Sequence, residues 1–205
     1  MKKGLVIAAV VVAAFMVFQQ LCTTPYIAVP SPTGETVICF GDSLTYGTGA
    51  SPDTSYPAYL SRSITEQVIN AGVPGNTTAD ALERLDRDVL AHDPKIVLIT
   101  LGGNDLMRDV PRDEAFANLR EIVDRIHDRG ALAVVGGIKV PLLDRGFAAA
   151  YRDLCRSSGC VLVPDILDGI MGNNALMSDR IHPNGDGYEL MAERFRRAIE
   201  PYLDS

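Results

Sequence analysis

The run Lys95-Ile96-Val97-Leu98-Ile99-Thr100-Leu101, followed at once by Gly102-Gly103-Asn104-Asp105, decides the fold. Its apolar and β-branched residues do not alternate with polar ones. Such a strand has no face for water and belongs in a parallel sheet covered on both sides. The glycine pair then ends it, and Asn104 and Asp105 stand where the chain leaves the sheet.

Working outward, the same pattern recurs at Thr36 to Phe40, Gln67 to Asn70, Ala131 to Gly136 and Val161 to Val163. Helical periodicity fills the intervals. One helix is expected from Thr77 to about Ala91, with Thr77 and Thr78 as caps and Asp80 at its positive end. A second runs from Arg112 to Arg129, where Phe116, Leu119, Ile122, Val123 and Ile126 mark one face and Gly130 stops it. Others cover about Arg145 to Arg156 and Gly187 to Leu203. Strand-helix alternation predicts a three-layer α/β domain, with chemistry in the loops after the strands.

The chain has 205 residues, 47% of them hydrophobic, enough for one domain with a full core plus an extra segment. That segment opens the chain. Lys2 and Lys3 precede an apolar run from Gly4 to Phe18, a charged start and short apolar stretch of the secretory type. The run is shorter than the roughly 20 residues that span a bilayer comfortably. Leu21-Cys22 resembles a lipoprotein processing site, but Leu21 is larger than the residue normally preceding such a cysteine. We therefore read 1–24 as a signal peptide or membrane anchor, 25–35 as a linker containing Pro30, Pro32 and Gly34, and 36–205 as the functional domain. Each option places the domain outside the cytoplasm, in the periplasm or cell envelope, with membrane association through the N-terminal segment left open.

Net charge is −7, with no Lys/Arg-rich block, which argues against nucleic acid as a partner. Trp is absent, so a broad aromatic sugar platform is not supported. No phosphate-binding glycine motif follows any strand. Cys155 and Cys160 either pair in an oxidising compartment or serve as small buried side chains. The three histidines, His92, His127 and His182, form no zinc pattern with the cysteines, and no metal or cofactor is expected.

The first strand ends in Gly41-Asp42-Ser43-Leu44, which puts a serine hydroxyl at the crevice. Serine is a weak nucleophile until a base takes its proton. Asp179-Arg180-Ile181-His182-Pro183 offers that base just before the last helix. Pro183 keeps His182 extended, and Asp179 is near enough to orient the imidazole. The loop Asn70-Ala71-Gly72-Val73-Pro74-Gly75-Asn76 offers a backbone N–H at Gly75, and Asn104 offers a side-chain amide, both suited to an oxyanion.

Taken together, Gly41-Asp42-Ser43-Leu44, Gly75-Asn76, Gly103-Asn104-Asp105 and Asp179-x-x-His182-Pro183 resemble the four blocks of the SGNH (GDSL) hydrolase superfamily, over Val37 to about Leu203. Ile138-Lys139-Val140-Pro141 resembles the fourth-strand exit of its small bacterial branch of acyl-CoA thioesterases, lysophospholipases and arylesterases. The resemblance implies a flavodoxin-like α/β/α fold with five parallel strands. It implies Ser43 as nucleophile, His182 as base, Asp179 as its partner, and an oxyanion hole from the Ser43 N–H, the Gly75 N–H and Asn104. The α/β-hydrolase elbow would need glycine where Thr45 stands.

The expected activity is hydrolysis of an ester or thioester of a small molecule or single-chain lipid. Leu106, Met107, Val110 and Leu142, with Leu143, are candidates for lining an acyl groove. A carbohydrate O-deacetylase of the same superfamily and a catalytically silent envelope binding protein are the alternatives.

Overall fold

The computed structural model describes residues 26–140 and 143–204. The N-terminal segment 1–24 and Leu142 lie outside the described residues. Five parallel strands, β1 (Thr36–Gly41), β2 (Gln67–Gly72), β3 (Pro94–Thr100), β4 (Leu132–Gly136) and β5 (Val161–Val163), form one sheet in the order β2-β1-β3-β4-β5. This is a doubly wound order, and it reverses direction between β1 and β3.

The helices are α1 (Ser43–Tyr46), α2 (Tyr56–Ser61), α3 (Thr78–Asp88), α4 (Gly103–Met107), α5 (Arg112–His127), α6 (Phe147–Ser158) and α7 (Gly185–Ile199). Successive strand side chains point to opposite faces, and each face of β3 meets its own helix layer. Val97 and Ile99 pack with Leu85 of α3, Leu119 and Ile122 of α5 and Tyr151 of α6. Ile96 and Leu98 pack with Tyr56 and Leu60 of α2 and with Met191 and Phe195 of α7. Every residue of β3 is buried, as its unbroken apolar run requires.

Local chemistry fixes the helix ends. Thr77 and Asp80 form a reciprocal capping box at α3, and Asn184 caps α7 by accepting from the Gly187 N–H. The helix expected to reach Ala91 ends at Asp88, and a separate 3-10 turn covers Leu90–His92. Three short helices, α1, α2 and α4, were not legible as periodic patterns. For α2 a local signal exists, a Ser55 cap followed by Pro57 in the first turn. Cys155 and Cys160 are joined in a disulfide that links the end of α6 to the start of β5.

The stretch read as a linker lies against the domain from residue 26 onward. Ala28 N–H donates to Gly159, Thr33 N–H to Gly130 and Glu35 N–H to Asp93. Those carbonyls precede β5, β4 and β3, so the stretch crosses the amino ends of the strands, opposite the loops that carry the site. Among the described residues no helix is long and apolar enough to cross a membrane.

Candidate active site

β1 and β3 flank the reversal of strand order, and the loops leaving them carry Ser43 and Asn104. Asp42 caps α1, accepting from the Leu44 N–H through Oδ1 at 3.0 Å, and Ser43 is the first residue of that helix. Its backbone N–H therefore has no partner within the helix.

The Asp179–His182 loop holds itself together. Asp179 Oδ1 accepts from the backbone N–H groups of Ile181 at 2.7 Å and His182 at 2.8 Å. Its Oδ2 lies 2.8 Å from His182 Nδ1. The imidazole hydrogen bond, with the two backbone donors, holds the Asp179 carboxyl down at about 2. An ionised Asp179 accepts from Nδ1–H, which leaves Nε2 as the acceptor in the neutral ring. Ser43 Oγ lies 3.0 Å from that nitrogen and donates to it. Residues 139 positions apart thus meet in one relay. Gly49, in the loop after α1, makes room for it. A Cβ there would lie 2.8 Å from Pro183 O and 3.1 Å from His182 Cβ.

Gly75 and Asn104 meet at the other side of Ser43. Gly75 has φ +84°, the left-handed region that favours glycine. The next residue, Asn76, accepts at its carbonyl from Asn104 Nδ2 at 2.9 Å, and the same nitrogen donates to Asp42 Oδ2 at 3.1 Å. A primary amide has two N–H donors, so both are engaged. Asp105 anchors the loop from below, taking the Thr78 N–H and, at 2.6 Å, the Thr78 hydroxyl. Asp42 is 3% exposed, and burial pushes its carboxyl up to about 6.

A small cavity of about 70 Å³ opens beside Ser43 and Asn104. Leu44, Met107, Ile138, Val140, Met171 and Ile181 line it, and Arg180 is its exposed cation. Of the residues expected to line an acyl groove, Met107 is there. Leu106 and Val110 are not: Leu106 packs into the core beneath α5, and Val110 packs against that core. The residues that replace them come from α1 (Leu44), from the β4 exit (Ile138, Val140), from the chain before Asp179 (Met171) and from the Asp179–His182 loop (Ile181). Among the described residues no group of three His, Cys, Asp or Glu side chains is placed to hold a metal ion.

Comparison with known proteins bears on the family. The GDSL-like lipase/acylhydrolase family model matches residues 39–190. The arylesterase of Vibrio mimicus is 30% identical over 84% of this chain and 92% of its own length. Thioesterase 1/protease 1/lysophospholipase L1 of Escherichia coli (strain K12) is 27% identical over 83% of this chain and 86% of its own. The crystal structure of TesA superposes with a TM-score of 0.78 at 27% identity, covering 82% of this chain and 99% of that one. AlinE4, an SGNH-hydrolase family esterase, gives 0.65 at 31% identity, covering 84% and 98%. The chain belongs to the GDSL-like lipase/acylhydrolase family, the SGNH serine hydrolases that cleave ester bonds.

Proposed function

We propose that Ser43 is the acyl-accepting nucleophile of this ester hydrolase, with His182 as general base and Asp179 as its orienting partner. The observation that carries this reading is the relay of 3.0 Å from Ser43 Oγ to His182 Nε2 and 2.8 Å from Nδ1 to Asp179. Ser43 Oγ attacks the carbonyl carbon while its proton passes to Nε2. The imidazolium, stabilised by Asp179, then protonates the leaving oxygen or sulfur as its bond to carbon breaks. Water repeats the sequence on the acyl-enzyme, giving its proton to His182 and releasing the acid and free Ser43. The oxyanion is received by the N–H groups of Ser43 and Gly75 and by the Asn104 amide. To donate, that amide exchanges one of its two present acceptors, Asp42 or the Asn76 carbonyl, for the substrate.

The preferred substrates are esters or thioesters of short or medium acyl chains. The cavity falls well below the roughly 300–1,000 Å³ of pockets that enclose larger ligands. Its walls are aliphatic and thioether side chains, which suit a methylene chain. The acetylxylan esterase of Geobacillus stearothermophilus is also a relative, 26% identical over 82% of this chain, and keeps a sugar O-deacetylase reading in play. None of the residues that line the cavity is aromatic, which favours the acyl-chain reading.

The test is hydrolysis of a p-nitrophenyl ester series, with acetylated xylan in parallel, by wild type and Ser43→Ala. We expect a maximum at short or medium chains and a loss of about 10⁴-fold or more in kcat in the variant. Undiminished turnover by Ser43→Ala overturns the nucleophile. A rate maximum at the longest chains, or a preference for acetylated xylan, overturns the substrate class. We also propose export, supported by Lys2, Lys3 and the apolar run 4–18, and by a disulfide suited to an oxidising compartment. Activity confined to the cytosolic fraction of a native-type host would contradict export.

A further inference from the structure

Arg84 lies on α3, outside every block that suggested function. With Asp88 four residues on, it reads as an ordinary helix-surface ion pair. The structure places it differently. Its side chain is 7% exposed, and its guanidinium carbon stands 4.5 Å from the centre of the Phe40 ring. Nη2 donates to the Gly41 carbonyl at 2.8 Å, Nη1 to the Ala71 carbonyl at 2.9 Å, and Nε to Asn76 Oδ1 at 2.6 Å. Nη1 also meets Asp88 at 3.1 Å.

The choice of acceptors is informative. Gly41 is the last residue of β1, one position before Asp42-Ser43. Ala71 is near the end of β2, ahead of Gly75. Asn76 follows Gly75, and its carbonyl accepts from Asn104. A planar fork of fixed geometry therefore spans the strand that delivers the nucleophile and the loop that presents the Gly75 N–H. Here three of the four acceptors are neutral oxygens at the site's edge.

We propose that Arg84 is a positioning residue for the reaction. It locks the Gly75–Asn76 loop to the β1 exit, so that the Gly75 N–H and the Asn104 amide keep their placement relative to Ser43 Oγ. It touches no substrate. The proposal rests on the nucleophile and oxyanion assignments above.

The experiment uses the full chain and the variants Arg84→Lys, Asn76→Ala, the double variant and, as a benchmark, Asn104→Ala. kcat and KM are measured on p-nitrophenyl butyrate, and thermal unfolding is followed by circular dichroism. A p-nitrophenyl alkylphosphonate reports separately on the nucleophile, because stoichiometric labelling of Ser43 seen by mass spectrometry tests that assignment alone. Asn76→Ala removes one acceptor at the loop and leaves the buried cation its other partners, so it tests the idea even if changes at Arg84 compromise folding.

For the benchmark, loss of an oxyanion donor predicts about 10²–10³-fold in kcat. Asn76→Ala and Arg84→Lys should each lower kcat by about tenfold or more with KM nearly unchanged, because misplacement affects the transition state more than substrate binding. The double variant should lose little beyond the worse single one, since both break the same link. Folded single variants with wild-type kcat overturn the proposal. So do kcat losses that multiply in the double variant, or that appear only where the protein is partly unfolded. Failure of Ser43 to label would instead sink the underlying assignment.

Discussion

Two buried cations sit at opposite ends of the sheet, and they are satisfied in different ways. Lys95, near the start of β3, meets charge with charge. Its Nζ lies 3.2 Å from Glu66 and 2.7 Å from Asp204, and the Asp204 N–H donates to the same Glu66 oxygen that Lys95 approaches. Arg84, beside the ends of β1 and β2, mostly meets neutral carbonyl and amide oxygens. The lysine is a point charge on a flexible stem, and it clasps the chain's end onto the sheet without demanding a direction. The guanidinium imposes direction on each of its acceptors. The amino ends of the strands need only be closed, whereas the carboxyl ends must be aimed.

Lys95→Met sharpens this contrast most. Burial alone would push the Lys95 ammonium down, but its bonds to Asp204 and Glu66 outweigh that and hold it above its usual value. Methionine preserves the stem and removes the charge, leaving the Glu66 side chain, 4% exposed, without its cation. Breaking such a pair should lower stability by about 3 kcal/mol. At a temperature where the variant is folded, kcat on p-nitrophenyl butyrate should stay within about twofold of wild type, since no contact from Lys95 reaches the catalytic loops. Denaturant unfolding and steady-state kinetics on one preparation decide the matter. A large fall in kcat with stability intact would erase the distinction between the two ends.

The same contrast explains what was legible in the sequence. β3 declared itself through seven residues that leave no solvent face, and Ser43, Asp179 and His182 stood in loops where their chemistry has few other uses. Their side-chain relay could not be measured from spacing, because it closes over 139 residues. Arg84 was hidden for a related reason. No functional block contains it, and Asp88 four residues on accounts for it as a helix-surface pair, while the contact that reveals its place, to Gly41, lies 43 residues away. Leu106 and Val110 were misplaced because closeness to Asn104 in sequence was read as closeness to the groove. Along α4 each residue turns through about 100°, so Met107 faces the cavity while Leu106 faces the core. The Pro-containing stretch before β1 reads as a linker, and only its long-range backbone bonds to Asp93, Gly130 and Gly159 show where it lies on the domain.

A smaller effect distinguishes the two ends by pH. At the amino end, burial raises the Glu66 carboxyl, but the Asp204 N–H and Lys95 outweigh it and leave Glu66 below its usual value. Glu66 therefore contributes stability at neutral pH that is lost on acidification. Asp42 has the opposite sign. Folded, it holds its proton up to about 6, against an ordinary 3.8, because burial penalises the carboxylate. Its contribution favours the folded state fully below the ordinary value and disappears as pH rises through about 6. Asp42→Asn removes this ionisation. Whatever it costs through the Asn104 contact, the difference in melting temperature between variant and wild type should move in the variant's favour between about pH 4 and pH 7.5. Glu66→Gln should move the opposite way, losing most relative to wild type at the higher pH. If the Asp42→Asn difference stays constant across that range, the buried carboxyl beside Ser43 ionises without cost. The carboxyl end of the sheet would then carry no electrostatic strain of its own, and the difference between the two ends would reduce to the geometry of their cations.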